Sequence, residues 1–347
     1  MNNITKEGEI MNKLTKIGAS ALCGSLAAIS AANAGDLTVT GGADMTWMSK
    51  SNDTTGNPFG VGSNFGFSGS GELDNGWTVA LSIAHTNAGV YSNTSVTVGV
   101  PGIGDIKLNQ GGSGTGIQRM DDMSPTVWEE SDGAGLAIGA TKIAGSSAGA
   151  TIEVENFSAM PDGLAAVFAY SPDADGSSST SDKGTGGQSG TLGSGWDLTL
   201  TATEDFHTVS GLTVYGGISQ VDQYQNTSGI SGDSEETVFG VKYAWNSFTV
   251  GWQQSDDDTG RSATNTNYEH TAWGVTFQVN DDLSLGYGEV ESTRTSTTNV
   301  TAKAVSMQVA YTMGGASIRL AHIEADDIGY TTTDDKETNV VSLGLAF

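Results

Sequence analysis

Leu37-Thr38-Val39-Thr40-Gly41-Gly42-Ala43-Asp44-Met45-Thr46-Trp47 alternates without a break, apolar or small on odd positions and polar or small on even ones. Successive side chains of a strand point to opposite faces, so a period of two means a strand with one apolar and one polar face. The same pattern recurs through the chain. Trp77, Val79, Leu81 and Ile83 share a parity, as do Trp196, Leu198, Leu200 and Ala202; Trp273, Val275, Phe277 and Val279; and Val305, Met307, Val309 and Tyr311. The opposite parity is mostly Thr, Ser, Gly, Gln, Ala or charged. A soluble sandwich alternates in the same way with its apolar face inward, so alternation establishes strands and not their closure.

The connections decide between the two. Short links are predicted at 73–75, 101–103, 159–162, 207–210, Asn246, 280–281 and Gly314. Long polar links are predicted at 49–61, 88–92, 111–149, 172–194, 223–235, 258–267, 294–300 and 326–336. They alternate long and short, beginning and ending long, so fifteen links join sixteen strands and both termini fall on the short-turn side. Gly135 to Ile143 could be read as one more strand, but an odd count would break the alternation, and it is assigned to the loop 111–149. The expected fold is all-β: a 16-stranded antiparallel transmembrane β-barrel with short periplasmic turns and long outer loops. Aromatic residues give a second indication. Trp77, Trp245, Phe248, Tyr311 and Phe347 fall beside the short turns, and Trp47, Tyr170, Trp196 and Tyr268 toward the long loops, as at the two interfaces of a bilayer.

Composition removes other classes. The 347 residues include 14 Lys plus Arg, 40 Asp plus Glu, 49 Gly and one Cys. At 16% charged, the chain lies below the roughly 25% of an ordinary soluble domain. A net charge of −26 leaves no cationic footprint for nucleic acid. No run of 18 apolar residues offers a membrane-spanning helix. Residues 11–34 read as a cleaved signal peptide, with Lys13 and Lys16 before an apolar run from Ile17 to Ile29 and Ala32-Asn33-Ala34 as the cleavage site. Residues 1–10 read as a gene-model extension ahead of Met11, and 35–347 as the barrel. Without residues 1–34 the chain has 313 residues, 11 basic and 38 acidic, and no cysteine, so disulfides play no part in its stability.

The end of the chain, Val341, Leu343, Leu345 and Phe347 alternating with Ser342, Gly344 and Ala346, resembles the last strand of the general porins of Gram-negative bacteria. The segment from Ala150 through Glu153-Val154-Glu155 to Gly163-Leu164 and Tyr170-Ser171-Pro172 is similar to the stretch after that family's third loop. The chain departs from it at Glu153-Val154-Glu155, where the family commonly has Arg-Tyr-Asp. The resemblance implies a passive, water-filled diffusion channel for small hydrophilic solutes, a homotrimer in outer-membrane lipid and lipopolysaccharide, and an assembly role for Phe347. It also implies that the loop 111–149 folds into the barrel as a constriction, with acidic groups facing basic ones across the opening. Arg119, Asp121, Asp122, Glu129, Glu130 and Asp132 lie in that loop. Lys107, Lys242 and Arg319 are wall partners by strand parity, and Glu153 and Glu155 project into the lumen. The acidic excess leads to an expectation of mild cation selectivity.

Motifs for chemistry are sparse. Gly145-Ser146-Ser147-Ala148-Gly149 matches G-x-S-x-G but lies in a Gly/Ser loop and not between a strand and a helix. His85, His207, His270 and His322 show no metal-site spacing. Asp173-Ala174-Asp175-Gly176 starts like a calcium loop and lacks its later ligands. Asp256-Asp257-Asp258, Asp326-Asp327 and Asp334-Asp335 read either as solvated acidic loops or as weak Ca2+ sites. No enzyme activity and no resident cofactor are expected. A secreted or surface-exposed β-rich adhesin, or an outer-membrane barrel hydrolase, are the alternatives. The first gives no reason for paired aromatic bands, and the second lacks a cluster of His, Asp and Ser.

Overall fold

The computed structural model describes residues 27–29, 37–51, 56–73, 75–86, 90–110, 114–121, 123–133, 143–146, 150–175, 191–224, 229–261, 267–295 and 298–346. Residues 1–10, most of the leader, Asp122, Ser147, Phe347 and all but Ile143 of the segment 135–143 lie outside them.

Sixteen strands close into one antiparallel barrel. They are β1 (Leu37–Lys50), β2 (Phe59–Glu72), β3 (Thr78–Thr86), β4 (Val90–Val100), β5 (Gly104–Gln110), β6 (Ala150–Glu155), β7 (Leu164–Ser171) and β8 (Leu192–Ala202). The second half is β9 (Leu212–Gln223), β10 (Ser234–Trp245), β11 (Phe248–Asp258), β12 (Asn267–Gln278), β13 (Leu283–Thr295), β14 (Val300–Met313), β15 (Ala316–Asp326) and β16 (Lys336–Ala346). Each strand pairs with the next, and β16 closes on β1 from Thr338↔Lys50 to Ala346↔Gly42. Closure leaves no strand edge unpaired, which lipid requires because it offers no hydrogen bonds to a free edge. Within the segment read as leader, Ala27–Ile29 pairs with Leu37–Val39 just past the end of β16. No helix among the described residues is long and apolar enough to cross a membrane.

The apolar parity faces outward. Met45 and Trp47 in β1, Met307 in β14, Leu320 in β15, and Val341 and Leu345 in β16 are exposed, whereas Ser306, Gln308 and Ser342 are buried toward the lumen. This reverses a soluble sandwich, and an exterior of that kind is stable only against lipid. Cross-strand aromatics reinforce it: Trp252 pairs with Trp273 and Tyr170 with Trp196, and Phe248 stacks on Phe277 at 4.5 Å beside the short turns. Tyr268 does not belong to the outer band. It shares the inward parity of His270 and packs against Tyr330, 5.4 Å between ring centres.

The connections lie at alternate ends of the barrel, but their lengths do not all alternate as expected. β3 and β4 are separated by three residues and β13 and β14 by four, so the expected long links at 88–92 and 294–300 are no longer than periplasmic turns. Ladder pairs such as Asn267↔Thr295 carry the strands further out than the polar composition suggested. The link after β8 spans nine residues and holds α1 (Glu204–His207). Glu204 Oε2 accepts the Gly211 N–H at 2.7 Å, which holds its carboxyl below the ordinary carboxylate range. The one-residue-scale turns rest on left-handed backbone, Asn246 at φ 52° and Gly314 at φ 61°, conformations that Asn and Gly reach at least cost.

At the outer end of β13 to β16 the lumen face is itself apolar. Val290, Ala302, Ala304, Ile323, Ala325 and Val340 form a buried cluster, covered by Ile328 and Tyr330 from the last loop. Asp327 and Asp335 bond within that loop, Asp327 Oδ1 accepting the Thr333 N–H at 2.7 Å and Asp335 Oδ1 the Asp327 N–H at 3.2 Å. Asp175 Oδ2 similarly accepts the amides of Thr191 and Leu192 at 2.8 and 2.9 Å. These acids serve to fold their loops.

Candidate functional site

The third loop enters the barrel and lies against one side of it. A short 3₁₀ turn, Gly116–Met120, follows Thr115, and its Ile117 and Met120 are buried with Ile143, Tyr215 and Val238. The wall under this turn carries carboxylates that accept its free amides. Glu153 Oε1 accepts Gly116 N–H at 2.9 Å, and Asp197 accepts Ile117 N–H at 3.1 Å and Ser146 N–H at 2.9 Å. Glu236 Oε2 accepts Gly145 N–H at 2.9 Å. Three wall acids thus accept four otherwise free loop amides and clamp the loop backbone.

Further along, Pro125 to Ser131 lies flat on a row of glycines. Gly251, Gly274 and Gly288 face one another across β11, β12 and β13, and Ser306 of β14 continues the row. A Cβ at Gly251 would meet Pro125 Cδ at 2.5 Å; one at Gly274 would overlap the Pro125 carbonyl oxygen, and one at Gly288 the Ser131 hydroxyl. Gln308 Oε1 accepts the amides of Val127 and Trp128 at 3.1 and 3.2 Å, while its Nε2 donates to the Glu129 carbonyl. Trp128 Nε1 donates to the Leu320 carbonyl at 3.0 Å.

The loop buries the lumen face from β8 to β14, where Asp197, Thr199, Ser255, Ser306 and Gln308 are buried. On the opposite wall, Asn64, Ser68, Ser70, Thr78 and Ser82 of β2 and β3 remain exposed. The open passage therefore runs between the loop and a wall of small uncharged polar groups.

The charges are arranged differently from the expected loop acids facing wall cations. Arg119, on the loop, pairs with wall acids: its guanidinium contacts Glu153 and lies 3.6 Å from Glu155 Oε2. Lys107 Nζ also meets Glu153, at 3.3 Å, and Glu153 is fully buried between the two cations. Arg319 pairs with Asp44 across β16, donates to Ser342 Oγ at 2.7 Å, and lies over the Trp128 ring at 5.1 Å. Opposite charges thus adjoin and do not face one another across water. The cause is the substitution of acids, Glu153 and Glu155, into the wall beside the loop's only described arginine. Asp121, Glu130 and Asp132 gather at a cavity between loop and wall. Glu129 lies on the loop beside Gly133. Lys242 is half-buried beside Gly251, where Pro125 also packs, and makes no ion pair among the described residues.

Sequence reasoning missed Asp197, Glu236, Gln308 and the glycine row. Their signal was available: Gly251, Gly274 and Gly288 hold the lumen parity of three neighbouring strands, where small residues leave space for something else.

Replacing Arg119 with Gln should test the charge cluster. It leaves the buried Glu153 with Lys107 and the Gly116 amide, a loss of about 1–3 kcal/mol given that the arginine is partly exposed. It also removes a positive charge from the lumen, so the reversal potential in a KCl gradient should move toward cations; a move toward anions would contradict the arrangement.

The family model described as "Gram-negative porin" matches residues 18–327. No curated protein sequence matches the chain. Among solved structures, the Salmonella typhi OmpF complex with daunomycin superposes with a TM-score of 0.68 at 13% identity, over 92% of this chain and 100% of that one. The anion-selective porin from Comamonas acidovorans gives 0.65 at 15%, over 90% and 99%. OmpT of Vibrio cholerae, an outer membrane protein, in a form lacking loop L8, gives 0.64 at 13%, over 90% and 99%. At these identities the structures establish the fold, and the family match extends over most of the sequence. The chain belongs to the Gram-negative porins: it is a passive outer-membrane channel and not an enzyme.

Proposed function

We propose that this channel passes small hydrophilic solutes and ions with a mild preference for cations. The observation that carries the reading is the neutralisation of the lumen cations beside the loop. Lys107, Arg119 and Arg319 each meet a carboxylate and offer little net positive field, so Lys242 stands against the negative charge of Asp121, Glu129, Glu130 and Asp132. The fold does not set the sign, since one structure with the same architecture is an anion-selective porin.

Purified protein in a planar bilayer under a KCl gradient should show a reversal potential of cationic sign. The bias should shrink with salt as the Debye length falls from about 10 Å at 0.1 M to 3 Å at 1 M. Anion selectivity at low salt would overturn the reading.

The same reading includes export through a cleaved leader ending at Ala34, assembly through Phe347 into a homotrimer, and lipopolysaccharide around the outer rim. No resident cofactor is part of it. Among the described residues no three His, Cys, Asp or Glu side chains are grouped to hold a metal ion, so calcium at the acidic loops would associate diffusely.

A further inference from the structure

Between the third loop and the lumen faces of β11, β12 and β13 lies a cavity of about 40 Å³. That is room for about three waters, or for one ammonium head and the start of an alkyl chain. Its lining includes the carboxylates of Asp121, Glu130 and Asp132 and the imidazole of His270, and no Lys or Arg among the described residues. His270 is 7% exposed, and its Nδ1 has no hydrogen-bond partner. A buried polar atom of this kind calls for a partner. The remaining lining is partly apolar, with Ile143, Ala272 and Val290. Glu130 is exposed, so the cavity opens on lumen water.

Two features select the class of guest. Among the described residues the acidic and imidazole groups are not gathered at the spacing of a metal site, whereas a guest with several N–H donors can reach them separately. The apolar patch adds nothing for a hydrated alkali ion but covers methylene groups. We propose that this cavity is a subsite for the head of a primary alkylammonium solute. His270 Nδ1, with the ring proton on Nε2, accepts one N–H. The loop carboxylates accept the others, each having about four lone-pair sites and so capacity beyond the bonds it already makes. The subsite rests on the reading of the channel as passing small cations, and it specifies which ones pause there: amines in preference to alkali ions.

Ethylammonium and tetramethylammonium chloride distinguish the cases, because both are monovalent and only the first carries N–H donors. In planar bilayers with KCl, ethylammonium seated between loop and wall should lower the K+ current saturably by offsetting the charge of the loop carboxylates, and tetramethylammonium should not. His270→Phe keeps a ring to stack on Tyr268, 6.2 Å away and within 2° of parallel, but removes the acceptor. It should raise the half-blocking ethylammonium concentration at least tenfold with KCl conductance unchanged. Glu130→Gln, on the exposed rim, should weaken block in the same direction and serves if His270→Phe does not assemble. No block, equal block by both cations, or block unaltered in the assembled variants would overturn the proposal. The KCl reversal potential on the same channels separates the two readings. Cation selectivity without ethylammonium block removes the subsite alone; anion selectivity with block retained removes the general cation preference alone.

Discussion

Gly274→Val is expected to lift the third loop from the barrel wall and widen the pore. Gly274 sits in mid-strand on the lumen face of β12, paired with Gly251 on one side and Gly288 on the other. Its backbone is ordinary strand, so valine suits the position locally and is a better strand former. The obstacle is the loop. Any Cβ there overlaps the Pro125 carbonyl oxygen and comes within 3.2 Å of Ser124 Oγ. Overpacking of this kind costs about 1–3 kcal/mol. The barrel is held by ladders on both sides of β12, whereas Pro125 to Ser131 is held by a few side-chain bonds, so the loop yields first. Single-channel conductance should rise, and heat-modifiability of the barrel on gels should stay near that of the unaltered protein. Unchanged conductance in a correctly assembled variant would show that the loop does not depend on this bed.

Val309→Arg should produce the largest loss of barrel stability. Val309 lies on the outward parity of β14 between Leu285 and Leu320, both exposed on the lipid side. An arginine on the lipid face costs about 2–4 kcal/mol at the bilayer midplane. Folding into bilayers and measuring the urea midpoint should show this loss, with normal conductance in the channels that do form. Gln308→Arg, one residue away, should behave in the opposite manner. The alternation alone places Gln308 in lumen water, where arginine would be tolerated, but the structure buries it at 3% exposure under the loop. Removing its Oε1 strips an acceptor from the Val127 and Trp128 amides, at about 1–3 kcal/mol for each buried group left unsatisfied. That loss falls on the loop, so conductance should change while the urea midpoint barely moves. Equal midpoint losses at the two positions would contradict the inside–outside assignment.

The contrast between these neighbours shows how far the sequence reaches. Period-two alternation determined which side of each strand meets lipid, because the pleat leaves a side chain only two directions; Val309 and Val341 were legible for that reason. The positions of the links determined the strand count, since antiparallel neighbours must return on alternate sides. The long links at 111–149 and 172–194 marked the end of the barrel that carries the loops, although the links at 88–92 and 294–300 are short. Strand parity also put Lys107, Glu153, Glu155, Lys242 and Arg319 inside.

The tertiary structure alone decided what each inward residue meets. Whether Gln308 faces water or a loop amide depends on a segment 179 residues away in sequence, and no local pattern encodes such a distance. Tyr268, read as a girdle aromatic from its place near a strand end, turns inward to Tyr330 because parity outweighs position along the strand. The pairing of Arg119 with Glu153 and Glu155, and not with acids of its own loop, follows from the glycine row and the clamp by Asp197, Glu236 and Gln308. These fix the height and side at which the loop docks. Strand periodicity is a property of neighbouring residues and survives in the sequence; the docking of the loop is set by space and by buried hydrogen-bond acceptors on distant strands, which exist as a surface only once the barrel has closed.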